Sequence, residues 1–247
     1  MPAPRRGPSL CARVERTWWD AGLYEINFGA LAPYIGPFLG GLVQTLALSG
    51  ATLAIALPLG LGGALLRTSQ HKVLRRLVAG YVQAVRNVPL LLILFIVFFE
   101  LPQVGLRFSP FVAGVVGLSI NITAYVIEIF RGGLAAIPKG QYEAANSLAL
   151  RPHQVFVYVV LPQLARISYP ALGNQVVGTT LATSQCFFIG VAELTSVTNV
   201  VGSETFRYFE VFAVAGLLYI IAAHTINQVW IRAGRHWKII GTQAHRA

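Results

Sequence analysis

The chain has 247 residues and a formal net charge of +10, yet only 11% of its residues are charged and 55% are hydrophobic. A soluble domain carries about 25% charged residues, so this composition points to lipid as the solvent. The basic excess matches the Lys and Arg that collect in the cytoplasmic loops of membrane proteins, and the apolar segments are too long for a nucleic-acid module, which excludes nucleic acid as a partner. Two cysteines, Cys11 in the N-terminal tail and Cys186 in an apolar segment, offer neither a disulfide framework nor a zinc site. The first twenty residues hold no apolar core of signal-peptide length, so insertion is expected to rest on the mature helices.

Residues 1–40 read as an N-terminal tail, in which 26–39 are apolar enough to lie at a membrane surface. Residues 41–238 read as the membrane domain and 239–247 as a C-terminal tail. The first span is expected near 43–66, uncharged, with Gly60, Gly62 and Gly63 allowing close helix contact. This glycine group lacks the GK[ST] ending of a phosphate loop, so the chain is not expected to hydrolyse ATP by that route. The second span is expected near 82–101. Pro89 suits a first helical turn, and Arg86 either snorkels to the interface or braces a neighbouring loop. The third, near 108–130, carries Gly114 and Gly117 for packing. Glu128 and Arg131 lie three residues apart at its end, where they can form a structural ion pair on one face.

A long linker, 132–166, follows. From Ile137 it reads IPKGQYEAANSLALRPHQVFVYVVLPQLARISYP. Pro138 suits a helix start, Arg151–Pro152 breaks the helix, and a second helix is expected from about Pro152, bent or ended by Pro162. Two short helices would make a rigid knob for another protein to grip. The fourth span, near 167–191, contains Asn174, Gln175, Thr179, Thr180, Thr183, Ser184 and Gln185. Such a helix should face the bundle interior or a wet cavity. The fifth lies near 208–231. Its His224 and Asn227 are too few to ligate a metal and read as packing contacts.

The expected fold is therefore an all-α integral membrane protein of about five transmembrane helices, since lipid forces the backbone to satisfy its own hydrogen bonds. Most of the 19 Lys and Arg fall after span one, after span three and after span five. The positive-inside rule then places the C-terminus in the cytoplasm and, with five spans, the N-terminus outside. Arg5, Arg6, Arg13 and Arg16 oppose that last assignment.

The spacing Glu143-Ala144-Ala145, Ala149, Val159, Leu161-Pro162 resembles the EAA motif of ATP-binding-cassette importer permeases. RNVPLL (86–91), AYVIEIFRGGL (124–134), PKGQYEAA (138–145), LPQLARISYPALGNQ (161–175) and IGVAELT (189–195) resemble the branch that carries polar amino acids. The resemblance covers roughly 41 to 238. It implies a cytoplasmic loop between spans three and four that docks on a separate ATP-binding subunit. Glu143, Ala144, Ala145, Ala149, Leu161 and Pro162 would be its coupling residues. It also implies ATP and magnesium held by that subunit and no cofactor on this chain. The remaining implied partners are an extracytoplasmic solute-binding protein and a second permease chain, in a bacterial inner membrane. Import rather than export comes only from the resemblance.

Candidates for the substrate path are polar groups at mid-depth: Asn121, Thr123, Thr179, Thr183, Ser184 and Gln185. Interhelical hydrogen bonding is the competing role for each. Two departures stand out. Ala149 replaces the family's usual glycine, and Leu181 and Ala182 replace a polar pair usual in the branch. A stand-alone secondary transporter or channel is the alternative, but it would need buried acids for ion coupling, and Glu100, Glu128 and Glu210, the acids within the expected spans, all lie near span ends. A membrane enzyme would need a catalytic constellation, and neither an HExxH motif nor a cluster of carboxylates occurs.

Overall fold

The structure is a computed structural model describing residues 25–236; the expectations for Cys11, the N-terminal arginines and the C-terminal tail lie outside the described residues. The chain divides into two units between Pro33 and Tyr34. Of the first, the described part is residues 25–33, which enter a 3-10 turn at Phe28. The second contains the membrane domain, and among the described residues all of its regular secondary structure is helical.

Among the described residues, eight helices make up this second unit: α1 Ile35–Thr68, α2 Lys72–Arg86, α3 Leu90–Val104, α4 Pro110–Ala135, α5 Lys139–Ser147, α6 Pro152–Ile189, α7 Leu194–Thr205 and α8 Tyr208–His236. The helix ending at Thr68, together with α4, α6 and α8, is long and apolar enough to cross a membrane. Helix α4 alone, at 1.5 Å per residue, reaches about 39 Å, beyond the ~30 Å of a hydrocarbon core. Helices α2 and α3 form a fifth span only as a pair, because they meet at 105°.

That bend departs from the single span expected at 82–101. Helix α2 is strongly amphipathic, with Lys72, Arg75 and Arg76 exposed and Val82 buried. It cannot run on into α3 because proline disfavours helix at the residue before it. The break therefore falls at Asn87–Val88, with Pro89 the N-cap of α3.

The fourth span also departs from expectation. Helix α6 begins at Pro152, where the Gln154 side chain accepts the Arg151 N–H at 2.8 Å, and it continues to Ile189. Pro162 neither ends it nor leaves it regular. The turn before the proline, Val155–Val160, widens to π geometry. A proline removes one backbone donor and crowds the carbonyl four residues earlier, and a π turn accommodates that mismatch. The same device recurs in α3, where the π turn Ile96–Glu100 precedes Leu101–Pro102.

Helices α1 and α4 form the centre of the bundle. They approach most closely where a Cβ on Gly60 would overlap the Val126 side chain and one on Gly63 would lie 2.6 Å from Ile127 Cδ1. Gly117 lies against Leu94 of α3 in the same way. Gly62, also expected to pack, instead faces open space. Helix α8 is locked to α6 by a reciprocal pair. The Tyr169 hydroxyl donates to the Trp230 carbonyl (2.7 Å), the Trp230 indole donates to the Tyr169 carbonyl (3.1 Å), and the rings stack at 4.6 Å.

Candidate functional site

Two regions carry the residues singled out from the sequence. The first is the loop between α4 and α6. Helix α5 buries Ala145 among Ile137, Val155 and Val160, while Glu143 and Ala144 face outward. Its end is a Schellman turn: Ala149 N–H donates to Asn146 O (2.9 Å) and Leu150 N–H reaches back to Ala145 O (3.3 Å). That turn requires a left-handed residue, and Ala149 has φ of 51°. The usual glycine would take this shape freely, whereas the alanine Cβ costs about 1–2 kcal/mol. Gln163 then ties α6 to α5, donating to Gln141 Oε1 at 3.3 Å. Leu161 is half-buried and Pro162 exposed. Leu148 at the end of α5 and Tyr158 at the start of α6, at 74% and 72% exposure, present large side chains in the same region; the motif spacing drew no attention to either.

Above the loop, Glu128 is held by two arginines. Arg131 Nη2 lies 2.8 Å from Glu128 Oε2, with Nε at 3.0 Å. Arg67, at the end of α1, lies 3.0 Å from Glu128 Oε1. The pairing of Glu128 with Arg131 was legible as an i, i+3 spacing. The contribution of Arg67 was not, because it comes from a helix sixty residues away. The cluster thus joins α1 to α4 where the loop begins. Arg67, Arg131 and Tyr142 of α5 also line one common cleft.

The second region is a cleft of about 430 Å³ beside the α2–α3 break. It collects Arg86 and Asn87 from the break, Asn121 and Tyr125 from α4, and Gln175, Ala182 and Gln185 from α6. The Arg86 guanidinium sits over the Tyr125 ring, 5.2 Å from its centroid. Of the expected substrate-path residues, Asn121 and Gln185 are brought together here. Thr123 lies elsewhere, on an apolar groove between α1, α2 and α4. Thr179 and Thr183 are fully buried and donate to carbonyls of their own helix, Gln175 O and Thr180 O, each at 2.7 Å. Ser184 does the same to Leu181 O at 2.8 Å. A hydroxyl can satisfy itself on the preceding turn; a carboxamide, with two donors and an acceptor on a longer arm, cannot do so as completely. Of the two departures in α6, Ala182 lines the cleft while Leu181 is 44% exposed.

Sequence reasoning gave Glu193 no role of its own. It is fully buried and caps α7, its carboxylate accepting the Thr195 and Ser196 N–H groups and the Tyr219 hydroxyl, each at 2.8 Å. Leu194 N–H reaches Thr45 of α1 at 3.2 Å. Helices α1, α7 and α8 therefore meet at one buried acid. The spacing Glu193-Leu194-Thr195-Ser196, an acid followed by polar N2 and N3 residues, was the available signal.

The profile of the binding-protein-dependent transport system inner membrane component family matches residues 56–232. The chain belongs to that family. It is the multi-pass permease subunit of an ATP-binding-cassette importer, in the inner membrane. It is 34% identical over 196 residues to the probable glutamine ABC transporter permease protein GlnM of Bacillus subtilis, covering 79% of this chain and 91% of that protein. It is 32% identical over 218 residues to the glutamine transport system permease protein GlnP of Escherichia coli K12, covering 87% and 100%. Among solved structures, the permease chain superposes on the crystal structure of an amino acid ABC transporter with histidines with a TM-score of 0.80. There the identity is 32%, with 86% of this chain and 99% of that one covered. The inward-facing MetNI methionine ABC transporter shares the fold at a TM-score of 0.67 and 21% identity.

Proposed function

We propose that this permease carries a polar amino acid and forms the translocation path with a second permease chain, identical or related. In this reading a solute-binding protein delivers the amino acid on the outer side, and a separate ATP-binding subunit drives the cycle. ATP and magnesium would be held by that subunit, and this chain does no chemistry of its own. The loop of α5 lies on the cytoplasmic side, with the C-terminus there and the N-terminus outside. The observation that carries the reading is α5 itself. It is a short helix anchored through buried Ala145, with Glu143 and Ala144 outward and Leu148 exposed beside them. Exposed apolar side chains next to a charge are what a docking surface requires. The relatives named for glutamine transport and the amino acid transporter structure support the cargo.

Helix α5 would receive the motion of the ATPase. The Glu128 cluster, which grips both α1 and α4 where the loop starts, would pass it to the bundle. Gln141–Gln163 and the widened turn before Pro162 make the second route, into α6 and its cleft-lining face. The test is ATP-dependent uptake of labelled amino acids into liposomes containing the reconstituted complex. Uptake that requires both ATP and the binding protein is expected. Accumulation by the permease chains alone, driven by an ion gradient, would replace this reading with a stand-alone transporter.

A further inference from the structure

The cleft shared by Arg67, Arg131 and Tyr142 also takes Arg75 from α2, and its volume is about 470 Å³. No acidic side chain lines it. The carboxylate behind it, Glu128, carries one negative charge and is held by two of the three arginines, Arg67 at 3.0 Å and Arg131 at 2.8 Å. Arg75 is exposed and, among the described residues, forms no ion pair. A guanidinium has five N–H donors. Arg131 gives Glu128 its Nε and Nη2, and Arg67 its Nη1, so each keeps donors for a further anion. Counting Glu128, the cleft still has a net positive charge.

Beside it lies a groove of the opposite character. It has a volume of about 530 Å³, runs between α1, α2 and α4, and includes the exposed side chains of Leu59, Leu66 and Leu77. Its polar side chains are Tyr81, whose hydroxyl donates to the Ile120 carbonyl at 2.6 Å, and the buried Thr123. Residues three or four apart share one face of a helix, about one 5.4 Å turn apart. Gly63 of the groove and Arg67 of the cleft are so related in α1, Ile127 and Arg131 in α4, and Val78 and Arg75 in α2. The cleft therefore continues the groove by one turn on three helices at once. Helix α1 stops at Thr68 and α4 at Ala135. The arginines thus lie at headgroup depth and the groove one turn deeper, in hydrocarbon.

We infer that the groove and the cleft together hold one anionic phospholipid, its phosphate among Arg67, Arg75 and Arg131 and an acyl chain along Leu59, Leu66 and Leu77. Basic pockets between membrane helices are suited to anionic headgroups, and Tyr142 offers a hydroxyl to the same phosphate. The apolar continuation selects a lipid over its rivals. A free phosphate ion or an acidic segment of the ATP-binding subunit would satisfy the arginines and leave the groove unused. One bound headgroup would join the ends of α1 and α4 to α2 and to Tyr142 of α5. The inference does not depend on which solute the permease carries.

The test is titration of the intact transporter, delipidated in detergent, with phosphatidylglycerol or phosphatidylcholine, counting bound lipid by native mass spectrometry. The wild type should bind its first phosphatidylglycerol about tenfold or more tighter than phosphatidylcholine, given the attraction of several basic residues. Arg75→Gln, outside the Glu128 cluster, should cut that preference about fivefold, the effect of one basic residue near an anionic surface. Gly62→Phe fills the groove at a position where an added Cβ meets nothing within 4 Å, and it should weaken phosphatidylglycerol while leaving the complex assembled. Equal affinity for the two lipids, or a preference unchanged in Arg75→Gln, would overturn the inference. Displacement of the lipid by millimolar inorganic phosphate, with Gly62→Phe binding normally, would replace it with a free-phosphate site. Lipid bound only after the ATP-binding subunit is stripped away would assign the cleft to that subunit instead.

Discussion

Ala149 shows what one methyl group does when the backbone has no choice. The Schellman turn needs a left-handed residue after α5, and φ of 51° is imposed on an alanine. Ala149→Gly is therefore expected to stabilise the loop by about 1 kcal/mol. Slower hydrogen exchange of the α5 amides would register it, and unchanged or faster exchange would contradict it. In the sequence the missing glycine put the shape of this turn in doubt, since glycine reaches backbone shapes that alanine avoids; here the turn stays left-handed with alanine in it. The cleft was only half legible. The threonines and serine of α6 looked as suitable as the carboxamides, but Thr179, Thr183 and Ser184 turn back onto their own helix. Chain reach, not polarity, separates the two groups.

Glu193 belongs to the same scale. It lies outside the spanning helices, and burial pushes its carboxyl above the ordinary range, against the pull of the Thr195 and Ser196 amides and the Tyr219 hydroxyl. A carboxyl with a raised folded-state pKa stabilises the fold when protonated, and that contribution fades as pH rises through the shifted value. Relative to Glu193→Gln, which does not titrate, the wild type should be most favoured near pH 4 and lose ground toward pH 7. Thermal unfolding of both proteins across that range checks it; a gap that widens with pH would contradict the assignment.

Helices α4 and α8 were readable because an apolar run of spanning length has one interpretation in lipid. The α2–α3 pair was not, since a hydropathy window merges the last turn of α2 with α3 and cannot see the 105° change of direction. Pro89 held the clue, and its meaning depended on whether α2 ran before it. Pro162, expected to bend or end its helix, does not end it. A proline lowers the regularity of a helix, and whether the helix ends or widens is decided by what packs around it, here Val155, Val160 and Leu164 in one buried cluster. Packing between α1 and α4 gives a paired test. Gly60→Ala, whose methyl would collide with Val126, should cost about 1–3 kcal/mol, while Gly62→Ala, with nothing within 4 Å, should be neutral or slightly stabilising. Thermal stability of the purified variants in detergent distinguishes them, and equal effects would contradict the α1–α4 contact.

For the whole molecule, the two candidate regions are physically continuous. Arg86 lines the cleft and, with Glu128 and Arg67, a second cleft beside it; Arg67 and Arg131 then line a third that includes Tyr142 of α5. A chain of arginines around one carboxylate thus runs from the cleft to the loop. Glu128→Gln would leave Arg67 and Arg131 without their acid. It should lower stability by about 1–2 kcal/mol, given that the group is partly exposed. It should also reduce the stimulation of ATP hydrolysis by loaded binding protein more than basal hydrolysis. Comparable loss of both rates would assign the cluster to folding alone.

The central claim is that this chain is moved by a separate ATPase gripping α5. The most direct measurement is affinity purification of the wild-type and Glu143→Arg chains from their native membrane in mild detergent, with mass spectrometry of what accompanies them. The account predicts that an ATPase bearing a phosphate-binding loop accompanies the wild type and is lost from Glu143→Arg, while membrane insertion is kept. A wild-type chain recovered alone, or a variant that retains the ATPase and transports normally, would contradict it.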